Sequence, residues 1–404
     1  MIPFSPPRID EKTIAEVTKA LQSGWITTGP KTKLFEQKIA DYCGAKKVFC
    51  INSATAGMEL MLRFWGVGPG DEVIIPAYTY CATANVVEHV GAKPVMVDVN
   101  EEDFNINVQN IKNAITSKTK VIVPVDFAGF PCEYDEINDL VNHPDVKKQF
   151  VANNEKQEKL GRILVLSDAA HSFGAIYYGT TSGSFTDISV FSFHAVKNLT
   201  TAEGGAICLN LPDDFDHDEI YKYLNTLSLH GQSKDALAKT QKGAWEYDVI
   251  EPGYKCNMTD LQAAIGLVEL DRYEENLQRR KEIFDAYKTG LEKYDWAVIP
   301  EFETTTKISS YHLFPLRIKN VSLKDRNKII HEIFEQDVSV NVHFKPLPLL
   351  TAYKNRGYDI NDYPITEKLF HQEISLPVYF DLSDESVKKV IDAVVKSVQK
   401  VLHV

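Results

Sequence analysis

The chain has 404 residues, of which 44% are hydrophobic and 25% are charged, a composition typical of an ordinary globular protein. Its length predicts two or three domains of about 100–200 residues each. The net charge of −12 argues against a nucleic-acid partner, which would require a basic face. No apolar stretch reaches the roughly 20 residues that span a bilayer, and residues 1–7 lack the basic-then-apolar order of a secretion signal. We therefore expect a cytoplasmic protein without a membrane partner.

Short β-rich segments alternate with helical segments through the first two-thirds of the chain. Strands are predicted at 47–51, 72–76, 94–97, 121–125, 163–167, 188–193 and 206–209, and helices at 55–65 and 79–89. This alternation is typical of an α/β fold in which helices cover both faces of a mainly parallel sheet. Ligands of such sheets bind at the carboxyl ends of the strands. Thr55, Asp168 and the turn at 192–197 are therefore expected to meet in one crevice.

The pattern changes after about residue 258. It predicts one long helix at 259–294, strands at 311–317 and 339–343, and helices at 323–336 and 384–402. We divide the chain into a large domain with an N-terminal arm at 1–258, a connecting helix at 259–276 and a small α+β domain at 277–404. The polar, lysine-rich stretch at 142–162 is interpreted as an extended, solvated helix–loop between two strands.

The cysteines are widely scattered, and none forms a Cys-x-x-Cys pair. Those at 50 and 208 lie in apolar, strand-like sequence. We expect buried free thiols in a reducing compartment, with neither a metal site nor a disulfide framework.

Lys197 and Asp168 are the strongest chemical signal in the sequence. Lys197 lies on the turn after the predicted strand at 188–193, and Asp168 ends the apolar strand at 163–167, where a carboxylate requires a cationic partner. This pair suits pyridoxal 5′-phosphate (PLP). The lysine forms a Schiff base with the cofactor aldehyde, and the carboxylate keeps the pyridine nitrogen protonated, so that the ring can act as an electron sink.

The segment Ser-Phe-His-Ala-Val-Lys-Asn at 192–198 resembles the PLP-lysine motif of the DegT-type nucleotide-sugar aminotransferases. Further motifs of that family match at 23–30, 52–58, 70–76 and 252–257, so the resemblance covers nearly the whole chain. It implies a PLP-dependent enzyme of fold type I, the fold of aspartate aminotransferase, with a mainly parallel seven-stranded sheet in the large domain. Within the family, the likeness is greatest to the branch that makes UDP-4-amino-4-deoxy-L-arabinose.

The resemblance implies roles for single residues toward the cofactor. The candidate catalytic residues are Lys197, Asp168 and His171, and the lysine, once displaced, would move the proton between substrate and cofactor. The implied cofactor contacts are Thr55, Ala56, Tyr80, Asp168, His171, Ser192, Lys197, Lys255 and Asn257. Thr55 and Ala56 would hold the phosphate at a helix start, where free N–H groups favour an anion, and Ser192 would add a hydroxyl from the strand before Lys197. Tyr80 would lie against the ring, and a core aromatic is the alternative; a structural histidine is the alternative for His171.

Lys255 lies where many members of the family carry an asparagine that reaches the cofactor phosphate of the neighbouring subunit. A lysine would bind the same anion as a point charge. Asn257 is the alternative residue for this contact. Either contact implies a homodimer with shared active sites.

The residues that resemble nucleotide-sugar contacts are Trp25, Ile26, Thr27, His343, Phe344 and Lys345. A nucleotide-sugar is anionic, so a chain with a net charge of −12 must concentrate cations locally. His343 and Lys345 are suitable cations for a diphosphate, although Lys345 could equally belong to a solvated loop. His194, His230 and His312 could also line the mouth of the site, but each is more often a packed or capping residue than a ligand.

The activity that the resemblance implies is a two-step transamination. L-glutamate gives its amino group to PLP, leaving 2-oxoglutarate and pyridoxamine phosphate, and the latter aminates a keto group at C4 of a nucleotide-linked sugar, such as a UDP-sugar. The product would feed lipopolysaccharide, capsule, glycan or antibiotic biosynthesis. The alternatives are a C3 sugar aminotransferase, a PLP-dependent sugar dehydratase and a non-catalytic ligand-binding regulator. Some dehydratases of this fold carry histidine in place of the lysine, so Lys197 favours transamination; regulators carry an added helix-turn-helix, which we do not expect here.

Overall fold

The alternating apolar segments of the first half of the chain build one central sheet. The computed structural model describes residues 1–233 and 246–404. In chain order, the strands of these residues are β1 (Lys47–Ile51), β2 (Glu72–Pro76), β3 (Lys93–Val97), β4 (Thr119–Ile122), β5 (Leu164–Asp168), β6 (Ile176–Tyr177), β7 (Thr180–Thr181), β8 (Ile188–Ser192), β9 (Gly205–Leu209), β10 (Ala297–Val298), β11 (Lys307–Ile308), β12 (Phe314–Ile318) and β13 (Glu373–Leu376).

The described helices cover both faces of the central sheet and the second half of the chain. They are α1 (Glu11–Gln22), α2 (Pro30–Cys43), α3 (Ala54–Phe64), α4 (Cys81–His89), α5 (Val108–Ala114), α6 (Tyr134–Asn142), α7 (Pro144–Gln149), α8 (Glu155–Leu160), α9 (His217–Ser228), α10 (Asp260–Asp271), α11 (Tyr273–Leu291), α12 (Leu323–Phe334), α13 (Thr351–Lys354), α14 (Pro364–Gln372) and α15 (Asp384–Leu402). None of the helices in 1–233 and 246–404 has the length and apolar sequence needed to cross a bilayer.

The central sheet has seven strands in the order β1-β9-β8-β5-β4-β2-β3. Strands β3, β2, β4, β5 and β8 run parallel, and β9 runs antiparallel to its neighbours β8 and β1. Strands of such a sheet are covered on both faces, which explains the nearly continuous apolar sequence of β5 and β9. The mainly parallel seven-stranded α/β sheet is therefore confirmed.

Three of the strands deliver the predicted site residues to one edge of this sheet. Strand β5 ends at Asp168, β8 ends at Ser192, and β1 ends just before Ser53, and all three point the same way. Gly205 lies between the last two ends, where an added Cβ would come within 2.7 Å of the Ala54 nitrogen and the Phe191 oxygen. Only glycine lets the start of α3 approach the end of β8 this closely.

A second, smaller sheet forms the core of the C-terminal part of the chain. Its order is β10-β12-β13, all antiparallel, and its apolar side chains pack with residues of α11, α12 and α15. A third sheet joins β11 to the β6–β7 hairpin. The domain boundaries at 258 and 276 remain a prediction.

Two predicted elements of the second half were wrong. The helix at 259–294 is two helices, α10 and α11, because Arg272 between them has φ −112° and ψ 13° and binds Glu269, Asp10 and the Arg8 carbonyl through its guanidinium. The segment at 339–343 forms only one isolated bridge, between Asn341 and Ser375.

The polar connection at 142–162 contains the short helices α7 and α8 and is anchored more firmly than a solvated loop. Asn154 caps α8 and donates a hydrogen bond of 3.0 Å to the Trp65 carbonyl, and Gln157 donates a second bond of 2.9 Å to the same oxygen. Gln157 is fully buried. The partner of this polar segment is therefore the end of α3 in the same chain.

Asp260 connects the start of α10 to the turn at 25–29. Its carboxylate accepts hydrogen bonds from the Gly29, Lys31 and Thr32 N–H groups at 2.8, 3.0 and 2.9 Å, and another at 2.7 Å from the Thr32 hydroxyl. Gly29 has no side chain to cap α2, so this carboxylate supplies the acceptor from a distant helix.

We expect Asp260→Ala to lower the free energy of unfolding by about 3 kcal/mol, because the substitution leaves buried N–H donors without an acceptor. Urea unfolding followed by circular dichroism measures this change. Asp271→Ala, which removes an exposed carboxylate from the other end of the same helix, is the matched control and should leave the unfolding free energy unchanged. Equal effects of the two substitutions would contradict the capping role.

Candidate active site

A cavity of about 480 Å³ lies at the carboxyl edge of the central sheet. It is lined by loops that follow the strands, by the N-terminal residues Phe4 and Ser5, and by three segments of the C-terminal half. Of the predicted site residues, the structure places in its lining Thr55, Tyr80, Asp168, His171, Ser192, Lys197, His343 and Phe344. Residues more than 280 positions apart in the chain thus meet in one chamber.

Asp168 and Lys197 carry opposite charges into this buried site. The Asp168 carboxylate accepts a hydrogen bond of 2.8 Å from the Thr83 hydroxyl and one of 3.3 Å from the Ala170 N–H. Burial raises the pKa of Asp168, while these donors and Lys197 oppose the rise. Burial also lowers the pKa of Lys197 to about 8, against the attraction of Asp168. Near neutral pH the lysine therefore has a sizeable fraction of nucleophilic free amine.

His171 presents an unsatisfied imidazole at the cavity wall. Its Nδ1 is buried without a hydrogen-bond partner among the described residues, and its ring lies against Phe344 at a centroid distance of 5.8 Å. Burial, together with the charge of Lys197, holds the pKa of His171 well below its usual range, so the ring is neutral. A buried polar atom without a partner indicates that a group outside the polypeptide completes the site.

Helix α3 begins at the cavity with Ser53 as its N-cap. Ala54 and Thr55 line the cavity, and N–H groups in the first turn of a helix bind anions. The Ala56 N–H donates to the Ser53 hydroxyl at 3.1 Å, and Ala56 does not line the cavity. Together with Lys197, Asp168 and the unsatisfied His171, this helix start fits the aldehyde, pyridine nitrogen and phosphate of PLP.

Tyr80 projects into the cavity as an exposed ring. Its side chain is 59% exposed, and its ring centroid lies 5.7 Å from that of Phe344. The alternative interpretation as a core aromatic is therefore wrong, because the position at the start of α4 leaves one face of the ring uncovered. Tyr78, two residues earlier, is the fully buried tyrosine of this segment.

The structure does not bring Trp25, Ile26, Thr27, Lys255, Asn257 or Lys345 into the cavity lining. Trp25 folds over Gly29, with its Nε1 donating 3.0 Å to the Thr28 carbonyl. Lys255 donates to Asn257, which in turn donates 2.6 Å to the Thr28 hydroxyl. Lys255 and Asn257 thus face the turn at 25–28 and not the cavity of their own chain.

His343 lines the cavity but does not supply the positive charge that we expected from it. Its Nδ1 lies 2.8 Å from the Ser375 hydroxyl, and burial lowers its pKa to about 3. The imidazole is therefore neutral at pH 7, so the expectation of a cation for a diphosphate was wrong. Its role in substrate binding remains a prediction, and Lys345 is exposed beside it.

Sequence reasoning missed Phe4, Thr83 and Glu203 as residues of the site, whereas His312 had been named as a residue that could line its mouth. Thr83 holds Asp168 from helix α4, and Phe4 stacks on His343 at 5.5 Å. Glu203 and His312 also line the cavity. Of the three missed residues, only Glu203 had a signal in the sequence, the family motif around 192–204, since the positions of Phe4 and Thr83 depend on how distant segments pack.

The fold and the site define a PLP-dependent aminotransferase of fold type I. Residues 7–150 and 151–395 match the DegT/DnrJ/EryC1/StrS aminotransferase family. The chain therefore belongs to that family, as its motifs indicated.

Solved structures and curated relatives agree with this assignment. The PMP form of Spr1654 from Streptococcus pneumoniae, a proposed sugar aminotransferase, has a TM-score of 0.96 at 49% identity, over 99% of this chain and 100% of that one. The protein MJ1066 of Methanocaldococcus jannaschii is 41% identical over 402 residues, 99% of this chain and 98% of its own length. The spore coat polysaccharide biosynthesis protein SpsC of Bacillus subtilis is 37% identical over 397 residues, 97% of this chain and 96% of its own. The chain is an aminotransferase of this family, and PLP is its cofactor.

The lowered pKa of Lys197 predicts how fast the cofactor-free protein captures PLP at different pH values. Only the free amine attacks the aldehyde, so the rate should rise with pH and level off above about 8, whereas an ordinary lysine would continue to rise toward its usual pKa of about 10.4. Stopped-flow absorbance over a pH series measures this rate. Lys197→Ala should abolish the covalent absorbance change.

Asp168→Asn should move the midpoint of this pH profile to lower pH, because the substitution removes the charge that favours the protonated lysine. Glu203→Gln, at an exposed acid of the same cavity, is the control and should leave the midpoint in place. An unchanged midpoint in Asp168→Asn would show that the two charges do not interact.

Proposed function

We propose that the enzyme transfers the amino group of L-glutamate to the C4 keto group of a nucleotide-linked sugar, for polysaccharide or glycan biosynthesis. The observation that carries the proposal is a lysine that shares one cavity with a buried carboxylate, at the edge of a parallel sheet. When bound, PLP supplies an electron sink for proton removal and a carrier for the amino group. The name of the spore coat polysaccharide relative supports the biosynthetic setting.

Lys197, Asp168 and His171 are the residues that we assign to the chemistry. The free amine of Lys197 can take a proton from the donor carbon and return one to the sugar carbon. Asp168, oriented by Thr83, would hold the ring nitrogen protonated. Tyr80 and His171 would support the ring from the cavity walls, and Ser53–Thr55 and Ser192 would hold the phosphate. Because position 197 is a lysine, transamination is favoured over dehydration.

A nucleotide-linked substrate requires more positive charge than one chain places in the cavity. Among the described lining residues, Lys197 is the only lysine or arginine, and the cofactor phosphate and a sugar diphosphate are both anionic. Lys345, exposed next to the lining residue Phe344, is the nearest cation along the chain. The remaining charge would have to come from a second copy.

We infer that the enzyme is a homodimer in which Lys255 of one chain completes the site of the other. Lys255 is exposed and faces away from its own cavity. The residues just before it include large exposed apolar side chains, with Val249 at 51% and Ile250 at 67% exposure. Exposed apolar groups near an outward-facing cation are typical of a protein interface.

The amino donor and the sugar can be tested separately with the PLP-loaded protein. L-glutamate should convert the absorbing form to pyridoxamine phosphate, and UDP-, dTDP- or GDP-linked 4-keto-sugars should then restore it and yield the amino-sugar by mass spectrometry. Lys197→Ala should neither form pyridoxamine phosphate with L-glutamate nor yield the amino-sugar. If 3-keto-sugars react and 4-keto-sugars do not, C4 amination is wrong; if glutamate leaves the spectrum unchanged, the donor is wrong.

Mixing two inactive variants tests the shared site. Lys197→Ala and Lys255→Ala, mixed in equal amounts and allowed to exchange subunits, should recover about a quarter of the wild-type rate, because half of the dimers then hold one intact site out of two. The control is the same mixture of Lys197→Ala with Asp168→Asn, both in the cavity of one chain, which should recover no activity. The same recovery in both mixtures, or in neither, would contradict a site completed by Lys255 of the second copy.

A further inference from the structure

His312 is a buried histidine of the cavity wall that neither the fold nor the cofactor accounts for. It lies just before β12 and lines the cavity together with Leu313. Its ring packs against His171 at a centroid distance of 4.4 Å. Arg280 fixes the local backbone by donating to the Tyr311 and His312 carbonyls at 3.2 and 3.4 Å.

Asn198, the residue after Lys197, determines which nitrogen of His312 carries the proton. The Asn198 amide nitrogen donates 2.6 Å to the Ser310 carbonyl, so the amide oxygen is the atom that lies 2.8 Å from His312 Nδ1. An amide oxygen only accepts hydrogen bonds, so Nδ1 must be protonated. Burial, together with the positive charges of Lys197 and Arg280 nearby, holds the pKa of His312 well below its usual range, and the ring is neutral.

The other ring nitrogen, Nε2, is therefore a bare acceptor. No residue within 1–233 and 246–404 donates a hydrogen bond to it, and His312 lines the cavity. A neutral imidazole with one nitrogen held by an amide presents its remaining lone pair in a fixed direction. The cavity wall thus contains a hydrogen-bond acceptor, His312 Nε2, that is held in a fixed direction and has no hydrogen-bond donor among the described residues.

The two substrates differ in the donors that they bring to this acceptor. Glutamate brings two carboxylates, which only accept hydrogen bonds, besides the amino group that reacts. A sugar brings several hydroxyl groups, each of which can donate. A bare acceptor therefore favours the sugar and offers nothing to the carboxylates of the amino donor.

We propose that His312 is a substrate-recognition residue whose Nε2 accepts a hydrogen bond from a hydroxyl group of the sugar, and that Asn198 holds it in this state. The proposal rests on the sugar aminotransferase activity and extends the proposed function by one specific contact. The contact is also connected to the turn that carries Lys197, because Asn198 lies on that turn and accepts the hydrogen bond from His312 Nδ1.

Two substitutions separate the two nitrogens of the ring. In His312→Asn the side-chain amide can replace Nδ1 and keep the bond to Asn198, but nothing replaces Nε2. In His312→Gln the amide oxygen can replace Nε2, but the bond to Asn198 is lost. For the sugar, kcat/KM should fall about tenfold in His312→Asn through a higher KM, and by less than about threefold in His312→Gln. The glutamate half-reaction of His312→Asn should stay within about twofold of wild type.

The proposal is overturned if His312→Asn slows the glutamate half-reaction as much as the sugar half-reaction, or leaves both unchanged. A second measurement needs no sugar. In PLP-loaded protein labelled with ¹⁵N-histidine, the His312 signals, assigned by their loss in His312→Asn, should show a protonated Nδ1 and an unprotonated Nε2. A protonated Nε2 would also overturn the proposal. Failure of the wild-type enzyme to react with glutamate would instead refute the proposed function, so the two failures are distinguishable.

Discussion

The site depends on placing two opposite charges in one desolvated crevice. Burial favours the neutral form of both side chains, because it raises the pKa of Asp168 and lowers the pKa of Lys197. The attraction between the two charges opposes both shifts. The parallel sheet makes this possible, because strands β5 and β8 end side by side and carry the two residues to the same edge. Thr83 then fixes the carboxylate from a neighbouring helix. The helix, the sheet and the turn are therefore arranged around the Asp168 carboxylate and the Lys197 amine, whose pKa values are both shifted toward the neutral form.

The cavity walls distinguish groups by hydrogen bonding more than by charge. His171, His312 and His343 all line the chamber, and burial keeps all three neutral. A neutral imidazole offers one donor and one acceptor in fixed directions, which suits a polyhydroxylated substrate. Anionic groups of the cofactor and the substrate must instead be met by helix N–H groups and by lysines at the periphery.

The parts of this picture that depend on local sequence could be predicted. The apolar segments of the sequence predicted the seven strands of the central sheet. The predicted ends of two of these strands indicated that Asp168 and Lys197 lie in one crevice, because strand ends can be recognised from the local sequence. The resemblance identified the family and the cofactor. The charge state of His343 could not be predicted, because it depends on burial by residues far away in the chain. The break at Arg272 likewise depends on acceptors from the N-terminal segment.

The Asn198–His312 and Asn198–Ser310 hydrogen bonds join residues 114 and 112 positions apart. During synthesis on the ribosome, the seven-stranded sheet is complete in sequence once β9 has emerged, about a hundred residues before His312 is made. A nascent chain at that stage holds Lys197 and Asp168 but not the wall against which His171 packs. Full assembly of the chamber is therefore a late step, because its remaining wall residues are synthesised long after the sheet.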